Sequence, residues 1–296
     1  MPLTQKTDYV AEGLGLLTSQ FRRARPVSVL PATAVINGST SAWTASAAAS
    51  AIDSASVATS WSPWTASGAG AATFNAKAFS GLLAWYDPQD SSTITSSGGN
   101  VSAWVDKSGN GYNLTNTGTT TLTSAIGSRQ TINLSDSNLA GTIGSATLTY
   151  LHLFAVVSFN VFHADNDLMN WNGSSHYQPE IYYASSGGLY LQYGSGYAEP
   201  LAVTLSTGTP YLIEYMVDAS TSGETVNVAL TSSSGTTTGT ATADSTVAPL
   251  TGNFVIGSDI GDNLHADIGD YVIYNTIKTG TELTNIRTAL RAKWWF

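Results

Sequence analysis

The chain has 296 residues, only 10% of them charged, and a formal net charge of −9. An acidic balance of this kind argues against a general nucleic-acid binder. With no cysteine there is no disulfide, thiolate nucleophile or zinc–thiolate site. The charge is unevenly placed. Residues 1–30 carry Lys6, Arg22, Arg23 and Arg25 against Asp8 and Glu12, leaving seven basic and eighteen acidic residues for the rest. A basic arm on an acidic body points to an arm that docks onto something else.

Residues 1–36 read as that arm. Val10, Leu14, Leu17 and Phe21 fall on one helical stripe between a capping Thr7 or Asp8 and the terminating Pro26. Gly13 and Gly15 each cost about 1 kcal/mol in a helix interior, so the helix needs a partner surface. Packing back onto its own domain is the other reading. No seven-residue apolar core of a signal peptide is visible. Residues 37–80 are rich in Ala, Ser, Thr and Gly but carry Trp43, Trp61 and Trp64. Tryptophans do not belong in a free linker, so a connector or small subdomain that packs somewhere is expected.

From residue 81 the signals are β. Leu82 to Tyr86 is an apolar strand that turns at Asp87-Pro88, and a second follows through Val101, Trp104 and Val105. A polar turn, Asp106-Lys107-Ser108-Gly109-Asn110-Gly111, closes the unit. Leu148 to Phe162 is too short to span a membrane and contains His152 and Asn160, so it reads as a buried strand and no membrane insertion is expected. Alternation marks further strands at 211–217 and 225–230, with short β-rich runs at Phe254-Val-Ile and Tyr271-Val-Ile-Tyr and Ser/Gly-rich turns between. A closing helix has the capping pair Thr279 and Glu282, an apolar stripe of Leu283, Ile286, Leu290 and Trp294, and Arg287, Arg291 and Lys293 toward its C-terminal end. Many short strands and one terminal helix predict an all-β sandwich over 81–296.

The opening pattern, apolar-Trp85-Tyr86-Asp87 followed by Val101-Ser-x-Trp104-x-Asp106-Lys-Ser-Gly-Asn-Gly111, and the closing Ile268-Gly-Asp-Tyr-Val-Ile-Tyr-Asn275 resemble concanavalin A-like lectin/glucanase domains of the LamG type. The resemblance implies a jelly-roll sandwich with a short C-terminal helix, to which the N-terminal helical arm read above is joined. The segment YVAEGLGLLTSQFR is similar to the start of some tailed-phage baseplate and tail proteins, which seat in the particle by a short N-terminal segment. Together these imply a structural, homo-oligomeric protein of a bacteriophage virion, in the tail, baseplate or head surface. The arm (Val10, Leu14, Leu17, Phe21, Arg22, Arg23, Arg25) would bind other virion proteins, and the sandwich would be displayed outward. The alternatives are a secreted or cell-surface carbohydrate-binding module and a polysaccharide depolymerase.

A glucanase of this superfamily would show Glu-x-Asp-x-x-Glu or a close variant on one strand. The six glutamates, at 12, 180, 199, 214, 224 and 282, have no such spacing. Nor is there a nucleophile elbow, a phosphate loop or a zinc helix, so no catalytic residue and no enzyme is expected. His152 reads as a structural histidine. His163 with Asp165 and Asp167, and His265 with Asp262, Asp267 and Asp270, are oxygen-rich enough to raise Ca²⁺, but solvated loop carboxylates are preferred and no metal ligand is assigned. Trp85 and Trp104 are expected to fill the core, with Asp106 and Asn110 hydrogen-bonded within their own turn.

The expected recognition surface is the tyrosine-rich middle. Trp171, Tyr177, Tyr182, Tyr190 and Gln192 combine flat apolar faces with polar edges, a chemistry for host-surface glycan or for a protein interface. In Leu189-Tyr-Leu-Gln-Tyr, alternation puts Tyr190 and Gln192 on the face opposite Leu189.

Overall fold

The computed structural model describes residues 34–38, 41–45, 74–143, 149–162, 166–171, 180–183, 189–193, 196–197, 203–218, 225–242, 252–257 and 264–294. The chain divides into two compact units, Met1–Gly68 and Ala69–Phe296. In the first, β1 (Ala34–Gly38) and β2 (Ser41–Ala45) form an antiparallel hairpin with Ile36 opposite Trp43. β1 crosses residue 36, where the arm was expected to end. The arm residues themselves, and Trp61 and Trp64, lie outside the described residues.

The second unit is an antiparallel β-sandwich with a helix on one face. Its strands are β3 (Leu82–Tyr86), β4 (Ile94–Ser97), β5 (Asn100–Trp104), β6 (Leu114–Ile126), β7 (Arg129–Ile143), β8 (Tyr150–Phe159), β9 (Asn166–Trp171), β10 (Glu180–Tyr183), β11 (Leu189–Tyr193), β12 (Gly196–Tyr197), β13 (Pro210–Asp218), β14 (Thr225–Ser232), β15 (Gly235–Thr242), β16 (Gly252–Ile256) and β17 (Leu264–Tyr274). The helix α1 spans Gly280–Trp294. Hydrogen bonding runs β12-β11-β10-β9-β16-β7-β17-β8-β13-β14-β15, with β6, β5 and β4 continuing from β7 and β3 from β17. Leu189 of β11 and Val228 of β14 stand far apart in that order yet share one core. The sheet therefore folds over on itself.

β8 shows why. Every residue from Leu151 to Phe159 is buried. Leu151, Leu153, Ala155, Val157 and Phe159 enter the inner core, whereas Phe154 and Val156 enter a second cluster under α1. A strand with both faces covered reads as a continuous apolar run. β13 divides the same way, with Tyr211, Ile213, Tyr215 and Val217 inward and Leu212 toward the helix.

In α1, Ile286, Leu290 and Trp294 are fully buried and Leu283 half-buried, as the stripe predicts. The second cluster also holds Phe74 and Ala76, ahead of the start expected at residue 81, and Trp85. Trp85 thus packs beneath the helix, while Trp104 is in the inner core.

β17 carries the feature that lets α1 dock. Ile268 pairs with Val157 and Tyr271 with Ala155, so three steps on β17 oppose two on β8 and a bulge falls at Gly269-Asp270. The bulge keeps both Ile268 and Tyr271 in the inner core. A Cβ on Gly269 would stand 2.9 Å from the Trp294 ring and from Val156, so only glycine allows this approach. At the other matching end, Gly81 has φ +68, and a Cβ there would meet Thr276 at 2.5 Å. The first and last segments of the sandwich are neighbours, with β3 paired to β17 from Tyr271↔Tyr86 to Tyr274↔Leu82.

Candidate functional site

The carboxylates come first, because chemistry at a sandwich surface would need them free. Asp270, on the bulge, is fully buried. Its Oδ1 accepts from Trp85 Nε1 at 2.9 Å and its Oδ2 from Trp294 Nε1 at 2.7 Å. Lys293 Nζ lies 2.7 Å from Asp270 Oδ2 and 2.7 Å from Asp87 Oδ1. Lys107 then joins Asp87 Oδ2 at 3.0 Å to Asp90 Oδ2 at 2.9 Å and stands over the Trp85 ring. Burial alone would raise the Asp87 carboxyl, but Lys293 and Lys107 outweigh it and hold it below the usual range. Burial pushes Asp270 upward against the pull of Lys293, with the Asp87 charge adding to the rise. This chain of charges ties β3, the Asp106 turn, β17 and α1 together.

A second buried set sits under the same helix. Arg287 clamps Glu214 of β13, with Nε at 2.7 Å from Oε1 and Nη2 at 2.8 Å from Oε2. Burial raises the Glu214 carboxyl and Arg287 opposes the rise. His152 stacks on Phe154 and its Nδ1 accepts the Lys278 backbone N–H at 3.0 Å. Burial first, then Arg287 and Lys278, bring its pKa down to about 3. His152 is a neutral structural residue. The basic residues read as complements to the helix dipole are therefore, at Arg287 and Lys293, partners of specific buried carboxylates.

Asp106 organises its own turn. Oδ1 accepts from Ser108 N at 2.8 Å and from Trp85 N at 3.0 Å, and Oδ2 from Ser108 Oγ at 2.6 Å and Tyr112 N at 3.2 Å. Asn110 departs from the expectation. Its backbone N–H stays in the turn, on Ser108 Oγ, but its side-chain amide crosses to the Leu82 and Leu83 carbonyls at 3.2 and 2.8 Å. The turn is thereby stitched to β3. Asp267 is equally occupied: Thr123, Thr131 and Asn133 donate to Oδ1 and Asn160 to Oδ2, all within 3.4 Å. His265 meets Asp136 at 2.9 Å. Among the described residues no three His, Asp or Glu side chains converge as a metal site; His163, Asp165 and Asp262 lie outside them.

The tyrosine-rich middle supplies strands β9 to β12 at one end of the hydrogen-bonded order. β10 and β11 pair Tyr182 directly with Tyr190, and Gln192 with Glu180; Gln192 also pairs with Tyr197 of β12. Leu189 is buried in the inner core, so positions 190 and 192 belong to the alternate register. Trp171 closes β9, where it pairs with Phe254 of β16. Tyr177 lies outside the described residues. Four of the five candidate positions are thus on adjoining strands.

No protein-family model matches this chain, and no curated protein matches it. Solved structures do. Trypanosoma rangeli sialidase in complex with sialic acid superposes with a TM-score of 0.50 at 14% identity, over 73% of this chain and 33% of the sialidase. The binding domain of botulinum neurotoxin DC in complex with SialylT gives a TM-score of 0.50 at 9% identity, over 72% and 52%. A mutant of HCR/D gives 0.52 at 10% identity, over 71% and 51%. What they share with this chain is the fold. The chain spans about a third of the sialidase and about half of the other two. A common β-sandwich at such identities carries no assignment of activity.

Proposed function

We propose that this is a lectin-like sandwich of the LamG type, carried by a structural protein of a tailed-phage particle, and that it acts on host-surface glycan by contact without cleavage. The observation that carries the reading is the pairing of Tyr182 with Tyr190 beside Gln192, on strands where Leu189 supplies the core. Aromatic rings next to amides are the residues that stack on and hydrogen-bond to sugar rings. The neighbouring folds include a sialidase complexed with sialic acid and a toxin binding domain complexed with SialylT, which favours glycan over a purely architectural role.

Contact is favoured over hydrolysis by the state of the carboxylates. Glycosidic cleavage usually needs an acid and a second carboxylate held about 5–10 Å apart on one bond. Here Asp87, Asp106, Glu214, Asp267 and Asp270 each hold the fold through the partners named above. The arm, with Val10, Leu14, Leu17 and Phe21 on one stripe and Arg22, Arg23 and Arg25 behind it, would seat a homo-oligomer in the particle and display the sandwich at the virion surface.

The test is a glycan array probed with the full chain, followed by a reducing-end assay on each bound polysaccharide. Binding without released oligosaccharide, weakened by about 1–3 kcal/mol in Tyr190→Ala, is the expected result. Sustained release abolished by mutating one acidic residue would make the protein a depolymerase. For the arm, a chain lacking residues 1–30 should remain folded but fail to enter particles; normal incorporation would remove that part of the proposal.

A further inference from the structure

A cleft of about 420 Å³ opens where β13, β14 and β15 end together. Its origin is visible in the strand pattern. The core-facing positions of β14 run Val226, Val228, Leu230 and then Ser232. Across the ladder, β15 sets Thr237 opposite Leu230 and Gly235 opposite Ser232. Within one step the inner face changes from aliphatic to hydroxyl. Tyr211 and Leu230, each 6% exposed, give the cleft an apolar floor. Thr209, Ser232, Ser234 and Thr237 surround it with hydroxyls.

The walls are held in place. Ser206 N–H donates to Tyr211 Oη at 2.9 Å, which fixes the preceding loop and leaves the phenolic proton free to donate elsewhere. Ser232 and Ser234 share a hydroxyl hydrogen bond of 2.7 Å across the two-residue turn. Gly235, at φ +140, has nothing within 4 Å of where a Cβ would stand, which keeps the mouth open.

Among the described residues no charged side chain lines the cleft, and that points to the ligand class. An anionic sugar would call for Arg, Lys or a convergent set of backbone N–H groups. A divalent cation would require several carboxylate or carbonyl oxygens, and an apolar ligand mostly apolar walls. Hydroxyls donate and accept alike, as do those of a neutral sugar, and the Tyr211 hydroxyl adds a donor beside the Ser and Thr groups. The volume falls within the ordinary range for small-molecule sites. We propose that this cleft is a second glycan subsite, selective for uncharged sugar residues, at the end of the strand order opposite the tyrosine strands. It rests on the lectin-like reading of the domain.

The experiment is calorimetric titration of the full chain with lactose, maltose, cellobiose and sialyllactose, repeated on Ser234→Trp and Thr237→Phe. Both filling variants alter exposed positions, Ser234 in the turn and Thr237 on β15, so a folding defect in one leaves the other to decide. At least one neutral disaccharide should bind. Each filling variant should weaken it by about tenfold or more with the thermal midpoint unchanged. Sialyllactose should bind no tighter than lactose. Neutral binding that ignores both filling variants would overturn the cleft and leave the lectin-like reading standing. Tighter binding of sialyllactose, lost on filling, would overturn the neutral selectivity. Absence of binding to any of the four sugars and to a broad glycan array would remove the lectin-like reading and the cleft together.

Discussion

Two regions of the sandwich solve the same problem, how to finish a sheet, with opposite chemistry. Beneath α1, five described charged side chains (Asp87, Glu214, Asp270, Lys278 and Lys293) are buried or nearly so; four are paired as described above and Lys278 Nζ donates to the Ser80 carbonyl. At the β13–β15 end the described residues lining the cleft are Ser, Thr, Gly, Tyr, Val and Leu. Charge in this chain is scarce, at 10% of residues, and the described structure concentrates it where the termini of the sandwich meet. Hydroxyl and aromatic groups are left for contact. A buried pair is strict about its partners, whereas a hydroxyl tolerates many, so the first region should be brittle to substitution and the second permissive.

The largest effect should come from Lys293→Met. It leaves Asp270 and one oxygen of Asp87 without their cation, and breaking a buried pair in this way costs about 3–5 kcal/mol. Urea denaturation should show the loss, and adding Asp270→Asn to the same chain should recover part of it. A loss under about 1 kcal/mol would mean that the charges are not what holds the corner.

Gly269→Ala comes next. The new methyl would stand 2.9 Å from Trp294 and from Val156, and overpacking of this kind costs about 1–3 kcal/mol. Near-UV circular dichroism should report a disturbed Trp294 alongside the fall in stability. Unchanged signals would mean that α1 accommodates the methyl by sliding.

The third test is a slope. His152 has a folded pKa of about 3 against an ordinary 6.5. Below about 6.5 the unfolded chain takes up a proton on this residue that the folded chain does not, so stability falls as pH drops toward 3. The limiting slope is about 1.4 kcal/mol per pH unit. Asp87 acts in a lower window, because its carboxyl is depressed from 3.8 and its contribution is lost only as pH falls through that lower value. Comparing wild type with His152→Gln between about pH 6.5 and 5 therefore isolates the histidine. Parallel pH profiles in the two proteins would show that His152 is not held neutral.

How much of this could be read from the sequence follows from distance along the chain. β3, β8, β13 and α1 were legible because their signals are local: an apolar run, an alternation or a 3.6-residue stripe. The glycine in Ile268-Gly-Asp was visible as a motif, but not the bulge that gives it its purpose. The charge chain was hidden, because Asp87 and Lys293 lie 206 residues apart and no local spacing links the two. β6 and β7, the longest strands described, were missed for a different reason. Between Leu114 and Ile143 they carry mostly Thr, Ser and Asn, and irregularities in their pairing break the alternation of Ile132, Leu134 and Leu139. Their turn, Gly127-Ser128 with φ of 57 and 59, is a two-residue hairpin of the kind that favours Asn-Gly, written in residues that signal it weakly. The tyrosine strands were found by composition; their adjacency needed the register.

The smallest effect should be a charge placed at the permissive end. Thr238 on β15 is exposed and lies opposite Ala229, and among the described strands β15 pairs only with β14. Lysine there keeps its ammonium in water, its stem crosses a threonine-rich surface, and charged residues are well tolerated on edge strands. Thr238→Lys should therefore shift the urea midpoint by no more than about 0.5 kcal/mol in stability. It also interrogates the edge itself. If β15 lies free, the variant should match wild type in sedimentation velocity and in melting. If a second copy of the chain pairs along β15 in a homo-oligomer, facing lysines would repel across the junction, and the variant should dissociate at concentrations where wild type does not. Either outcome ranks β15 against the corner under α1. Only a loss as large as that of Lys293→Met would erase the contrast between a region that requires its charges and one built without them.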